Sequence, residues 1–224
     1  TVQNIQLELI RNIYRKMFVP INSSVVVVGN IDMKSLQSEL NSLLSNWIEK
    51  ATIDEPLISL KKSQRKIFII NKKDAVQTEI RTGHLSSKRS EKDYFQKQII
   101  NLVLGGQFSS RLNLNLREKN GYTYGIHSNF NYFKEAGSFE VSTSVDVENT
   151  TNALREIYTE INKIKDGITE DELAFSKASL TKRFPANFET YRQIASNISS
   201  KIINNLSEDY FEAYIERVNA ISLN

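Results

Sequence analysis

The feature that most constrains the fold is an alternation of apolar and polar side chains between residues 122 and 147. The first half carries Tyr122, Tyr124, Ile126, Phe130 and Tyr132 on one parity, and His127, Asn129 and Asn131 on the other. A period of two residues is typical of a β-strand with one buried face. After Gly137, which indicates a turn, the apolar residues recur as Phe139, Val141, Val145 and Val147. Residues 122–146 are therefore predicted to form a β-hairpin.

The first half of the chain mixes helical and strand patterns. In order, the patterns predict an amphipathic helix over about residues 3–18, a strand at Val25–Val28, a helix capped by Asp32, and two strands at Ile67–Ile70 and Val76–His84. The continuous β-branched run of Val25–Val28 favours a strand that is buried on both faces.

Outside the hairpin, the second half is predicted to be helical. Glu91–Leu104 has a helical pattern, and a shorter helix carries Phe108, Leu112 and Leu116 on one face before it ends near Asn120 and Gly121. Further helices follow residue 147, and Thr169 with Glu172 forms a capping box at the start of one of them.

This order of elements predicts an α+β fold, with a mainly antiparallel sheet and helices packed on one face. The length of 224 residues suits a single domain. Because the chain begins within a helical pattern and stops abruptly, we expect it to be a fragment of a longer protein.

Composition excludes several kinds of site. The chain has no cysteine, which removes thiolate metal sites and a cysteine nucleophile. Its two histidines, His84 and His127, are too far apart in sequence for a local two-histidine zinc motif. No apolar run is long enough to span a membrane, and a net charge of +3 is weak evidence for nucleic-acid binding. The compartment stays open, with a bacterial periplasm or cytoplasm favoured.

Three other local patterns have simple structural interpretations. Each histidine is best explained as solvated or hydrogen-bonded. Gly105-Gly106 follows a helix and lacks a third glycine, so it is a poor phosphate-binding loop. Lys61, Lys62, Arg65, Lys66, Lys72 and Lys73 form a basic cluster, which a solvated loop explains and which leaves polyanion binding as a minor alternative.

The most informative segment runs from Gly105 to Tyr124. It reads Gly-Gly-Gln-Phe-Ser-Ser-Arg-Leu and, after Asn113-Leu114-Asn115, Leu-Arg-Glu-Lys-Asn-Gly-Tyr-Thr-Tyr. This segment resembles the C-terminal domain of the insulinase/pitrilysin-type zinc metallopeptidases, which include the mitochondrial processing peptidases. The element order agrees with that family over nearly the whole chain, although this segment alone is specific.

The resemblance implies a division of labour between two halves of a clamshell-shaped peptidase. One half carries zinc on H-x-x-E-H and a distal Glu, and the other supplies an arginine and a tyrosine that match Arg117 and Tyr124. These two residues would bind a substrate carbonyl and stabilise the oxyanion once the clamshell closes. The implied partners are a peptide or protein substrate and a zinc-bearing N-terminal half or subunit, and residues 1–224 would hold no metal themselves.

Two questions stay open at the level of sequence. Tyr124 shares its parity with Ile126 and Phe130, so periodicity alone favours a core residue, whereas the motif favours a functional one. A non-catalytic structural subunit that kept the same fold is an alternative to the substrate-binding domain.

Overall fold

The structure is a computed structural model that describes residues 2–21, 23–47 and 64–223. The chain divides into two compact units. A helical unit comprises Thr1–Ser59 and Phe188–Ile202, and a sheet unit comprises Leu60–Asn187 and Ile203–Asn224.

In chain order, the described residues form helices α1 (Leu7–Met17) and α2 (Met33–Leu43), strand β1 (Gln77–Ser86), helix α3 (Tyr94–Leu104), a π-helix (Asn113–Lys119), strands β2 (Ile126–Tyr132) and β3 (Gly137–Asp146), and helices α4 (Thr150–Lys163), α5 (Glu170–Arg183), α6 (Tyr191–Ile203) and α7 (Tyr214–Asn219). Within these described ranges, no helix combines the length and apolar character needed to cross a bilayer.

The helical unit confirms two sequence predictions and corrects a third. Helix α1 confirms the helix predicted over about residues 3–18. Asp32 caps α2 as expected, because its carboxylate accepts a hydrogen bond from the Ser35 N–H at 2.8 Å. Val25–Val28, however, is not a strand, and Val25 and Val27 are exposed. A strand exists only through the hydrogen bonds of its ladder. Every strand formed by the described residues lies in the sheet unit instead.

The sheet has the strand order β1-β3-β2 and is antiparallel throughout. β2 and β3 are the predicted hairpin, and β1 confirms the strand that was expected from Val76 onward. The strand predicted at Ile67–Ile70 is wrong, since these four side chains are 81–90% exposed and outside any ladder of the described residues. β1 pairs with β3 over ten positions, from Gln77 to Ser86, so its partner is distant in sequence rather than adjacent.

The core lies on one face of this sheet. From Gly137 to Val145, the residues of β3 alternate between buried and half-buried positions, as a one-sided sheet requires, and the final Asp146 is exposed. The buried face packs against α3, the π-helix and α4 through Ile80, Leu104, Leu112, Leu116, Ile126, Val141, Val145, Ala153 and Ile157. The opposite face carries Arg81, His127, Asn129, Glu140 and Ser142. The α+β fold with helices on one face is therefore confirmed.

The short helix expected around Leu112 and Leu116 is present, but most of it is a π-helix. Its wider turns end with the Asn120 N–H donating to Asn115 O at 3.1 Å, a step of five residues. Gly121, at a φ of 64°, then reverses the chain in a conformation that favours glycine. Sequence periodicity cannot distinguish such a helix from an ordinary one of similar length.

A charged contact ties the start of this helix to α5. The Arg111 guanidinium donates to both carboxylate oxygens of Glu172 at 2.6 Å. Glu172 also completes the predicted capping box, because its side chain accepts from the Thr169 N–H. The hydrogen bond from Arg111 lowers the pKa of Glu172 below its ordinary value.

We predict that Glu172→Gln lowers the free energy of unfolding by about 1–2 kcal/mol at pH 7, because the glutamine keeps a capping acceptor but loses the charged pair. A carboxyl whose pKa is lowered by folding stabilises the protein above its ordinary pKa of about 4.3 and stops doing so as the pH falls through the lowered value. The deficit of the variant should therefore shrink progressively as the pH is lowered below about 4.3 in urea denaturation experiments.

Glu170→Gln is the matched control, since Glu170 is exposed in the same first turn of α5 and changes the same charge. An equal loss of stability in both variants would show that the effect arises from the helix terminus rather than from the pair with Arg111.

Candidate functional site

Arg117 projects from the π-helix with its guanidinium close to two aromatic rings. Its Cζ atom lies 4.2 Å from the centroid of Phe108 and 5.3 Å from the centroid of Tyr124. The side chain is half-buried, and its Nε is 3.6 Å from a carboxylate oxygen of the exposed Glu118. Cation–π attraction to the rings thus holds the guanidinium plane while leaving N–H groups at its edge.

Tyr124 lies in the loop between the π-helix and β2 and is 93% exposed. The interpretation of Tyr124 as a core residue is therefore wrong. Its parity matches that of the buried Ile126, but β2 begins only at Ile126, and parity has no meaning before the strand starts. The Tyr124 hydroxyl makes no hydrogen bond to any residue in the described part of the chain. It is accordingly free to donate to a bound molecule.

The loop that carries Tyr124 is fixed by the residues around it. The Thr123 hydroxyl donates to Gly125 O at 2.9 Å and accepts from the Gly125 N–H at 3.1 Å, and the Thr143 hydroxyl of β3 donates to Thr123. The neighbouring Tyr122 packs against the core. Tyr124 is thus an exposed ring on a loop that is anchored on both sides.

Phe108 is a member of this site that sequence reasoning missed. Its spacing from Leu112 and Leu116 suggested a shared helical face, yet those two leucines are buried and Phe108 is exposed. The helical turn begins only at Arg111, so Phe108 precedes it and is free to cover Arg117. No periodic signal in the sequence distinguishes these two placements.

The paired glycines have a packing role rather than a phosphate-binding one. The N–H groups of Gly105 and Gly106 both donate to Asn101 O, at 3.0 and 2.7 Å, so neither is available to a phosphate. Gly105 O accepts from the Ser128 N–H of β2, and a Cβ atom at Gly105 would lie 2.8 Å from Ser128 N. A side chain is therefore excluded where α3 meets the sheet.

The described residues do not provide a zinc site. They contain no group of three or more His, Cys, Asp or Glu side chains able to hold a metal ion. The His84 ring lies 5.3 Å from the Phe139 ring, tilted by 33°, on the core side of the sheet, whereas His127 lies on the opposite, polar face. The two histidines therefore cannot share a ligand.

The basic cluster is only partly described. Lys61 and Lys62 lie outside the described residues, and Arg65, Lys66, Lys72 and Lys73 are exposed. The interpretation of this cluster as a solvated loop or a polyanion-binding surface stays a prediction.

Comparison with known proteins adds an independent line of evidence. Residues 4–180 match the family model described as the peptidase M16 inactive domain. A probable inactive metalloprotease of Bacillus subtilis is 26% identical over 97% of this chain and 51% of its own length. A non-peptidase homologue of Helicobacter pylori is 29% identical over 94% of this chain and 47% of its own length. The chain spans about half the length of these curated relatives.

Solved structures share the same fold. A protease from Helicobacter pylori superposes with a TM-score of 0.89, at 19% identity, over 99% of this chain and 55% of that chain. A peptidase M16 inactive domain from Pseudomonas fluorescens reaches a TM-score of 0.62, at 25% identity, over 66% of this chain and 36% of that chain.

We predict that Gly105→Ala destabilises the protein by about 1–3 kcal/mol, because the added methyl group must displace the backbone of Ser128. Chemical denaturation would measure this loss. Gly125→Ala is the control, since a Cβ atom there would meet only His127 Nε2 at 3.7 Å and should change stability by less than about 0.5 kcal/mol. Equal losses at the two positions would contradict the packing role of Gly105.

Proposed function

Because the chain belongs to the peptidase M16 family as an inactive domain of the insulinase/pitrilysin type, we propose that it is the substrate-binding domain of a zinc-dependent endopeptidase. In this proposal residues 1–224 form the C-terminal domain of a longer protein or subunit. Arg117 and Tyr124 act on the peptide substrate.

The observation that carries the proposal is the juxtaposition of a guanidinium and an exposed phenol whose hydroxyl makes no hydrogen bond within the described part of the chain. Arg117 and Tyr124 are seven residues apart and lie on different elements, yet the Cζ atom is 5.3 Å from the ring centroid. A surface tyrosine kept for packing would bury its ring, and Tyr124 does not.

These two groups suit the chemistry of peptide hydrolysis. Attack on a peptide carbonyl places negative charge on its oxygen, and the Tyr124 hydroxyl would donate a hydrogen bond to that oxygen. One such donor contributes on the order of 3 kcal/mol to the transition state. The Arg117 guanidinium would donate to a neighbouring backbone carbonyl of the substrate and hold the chain in register.

The metal of such a peptidase would be supplied by another domain or subunit. Neither the residues described here nor the histidine content of the chain fits a zinc site. The contribution of this chain is confined to binding, orienting and hydrogen bonding to the substrate. We therefore expect the isolated chain to be inactive.

A non-catalytic, structural role is the second candidate. Two relatives that cover nearly all of this chain are named an inactive metalloprotease and a non-peptidase homologue, whereas another, from Mycobacterium leprae, is named a zinc protease. The presence of both Arg117 and Tyr124 at an exposed, anchored site favours the substrate-binding role.

We predict that Tyr124→Phe lowers kcat of the complete peptidase by about 100-fold, because it removes one hydrogen-bond donor to the transition state. KM and zinc content should stay near their wild-type values in steady-state kinetics and metal analysis. Tyr191→Phe is the control, since Tyr191 is another exposed tyrosine, outside the site. Unchanged turnover for Tyr124→Phe in an active assembly would eliminate its catalytic role.

For Arg117→Lys we predict a rise in KM of about tenfold with a smaller change in kcat. Lysine keeps the charge but loses the planar fork that can donate two parallel hydrogen bonds. The measurement is the dependence of rate on the concentration of an unstructured peptide. A fall in kcat with constant KM would instead assign Arg117 to the transition state.

A further inference from the structure

The chain that joins Arg117 and Tyr124 is bonded to the π-helix over its first half, where the Gly121 N–H donates to Arg117 O at 3.1 Å and the Tyr122 N–H donates to Leu116 O at 2.9 Å. Arg117 belongs to the π-helix, and Tyr124 belongs to the loop before β2. The connection passes through Gly121, which adopts a positive φ and would have open space around an added Cβ atom. The separation of the two side chains depends on these bonds, on the contacts of Thr123 within the loop, and on contacts between the π-helix and the start of β2.

Asn113 makes such a contact. It is the first residue of the π-helix and only 3% exposed. Its Nδ2 donates to Ile126 O at 2.8 Å, and its Oδ1 accepts from the Ile126 N–H at 3.2 Å. The side-chain amide thus pairs with both backbone groups of Ile126, as a neighbouring strand would.

The same amide also fixes the segment that carries Phe108. Asn113 Nδ2 lies 3.1 Å from Ser110 Oγ and 3.2 Å from Gln107 O, and these two residues flank Phe108 in sequence. The buried side chain of Asn113 therefore contacts both the loop that carries Phe108 and the strand that begins two residues after Tyr124. Asn113 itself lies four residues before Arg117 in the same helix.

The other buried amide of the π-helix has a different partner. Asn115 Nδ2 donates to Glu160 Oε1 of α4 at 2.7 Å and to Glu156 Oε2 at 2.9 Å. Its Oδ1 accepts from Asn120. These contacts hold the π-helix on α4 and involve neither β2 nor the loop of Phe108. Asn115 is consequently a matched comparison for Asn113.

We propose that Asn113 is a positioning residue that sets the geometry of Arg117 and Tyr124 by clamping the start of the π-helix to the first residue of β2. The effect of Asn113 on catalysis rests on the proposed function, whereas its effect on the relative position of Arg117 and Tyr124 does not. Asn113→Asp is the sharpest variant, because it keeps the acceptor for the Ile126 N–H and replaces the donor to Ile126 O with a second acceptor.

The geometric test uses the chain labelled with 3-fluorotyrosine. The fluorine resonance of Tyr124, assigned by its loss in Tyr124→Phe, should shift when Arg117 is replaced by alanine, because the guanidinium is close to the ring. We expect Asn113→Asp to remove at least half of this Arg117-dependent shift and Asn115→Ala to preserve it. An undiminished shift in the Asn113 variant would overturn the proposal.

Asn113→Ala serves as a second variant if the aspartate prevents folding, which circular dichroism would reveal. It loses all contacts of the amide without adding a charge. We expect this variant also to remove at least half of the Arg117-dependent shift. An undiminished shift would overturn the proposal.

The kinetic test uses the complete peptidase. Asn113→Asp should lower kcat by about 10- to 100-fold, as expected when a catalytic group is misplaced by roughly 1 Å. Adding Tyr124→Phe to this variant should then cost much less than it costs in the wild type. If the fluorine shift is lost but turnover is unaffected, Asn113 is still the positioning residue and the proposed function is wrong.

Discussion

The site depends on one physical constraint, which is that polar groups buried beneath it must all be hydrogen-bonded. Asn113 and Asn115 are buried in the same segment as Leu112 and Leu116, and an unpaired amide there would be costly. Each amide is satisfied by a different element, β2 for Asn113 and α4 for Asn115. Because hydrogen bonds are directional, these contacts fix the orientation of the π-helix more closely than apolar packing alone would.

The sheet was predictable because its pattern is local and periodic. The β2–β3 hairpin, the strand β1 and the capping box at Thr169 follow from residues that are close together in sequence. The errors at Val25–Val28 and Ile67–Ile70 share one cause. An apolar β-branched run indicates a tendency to form a strand. Whether a second strand is available to pair with it depends on the whole fold and not on the run itself.

The candidate site was predicted from the motif, and periodicity gave no indication of it. Tyr124 follows the parity of a core strand, and Phe108 follows the spacing of a core helix, yet both are exposed. In each case the regular element begins after the residue, at Ile126 for the strand and Arg111 for the helical turn. The same motif also contains residues with purely steric roles, such as Gly105. Exposure to solvent separates the residues assigned to the candidate site, Tyr124 and Phe108, from residues such as Gly105 that pack inside the fold.

The 93% exposure of Tyr124 limits how strongly the site can interact with a charged or polar group in water. In water, a hydrogen bond or charge contact made by this phenol or by Arg117 competes with solvent and is screened by a high dielectric constant. The same contacts become several times stronger once a second surface excludes the water. Under the proposed function, this chain would supply the geometry of an electrostatic site, and the field strength of that site would be a property of the assembly that covered it.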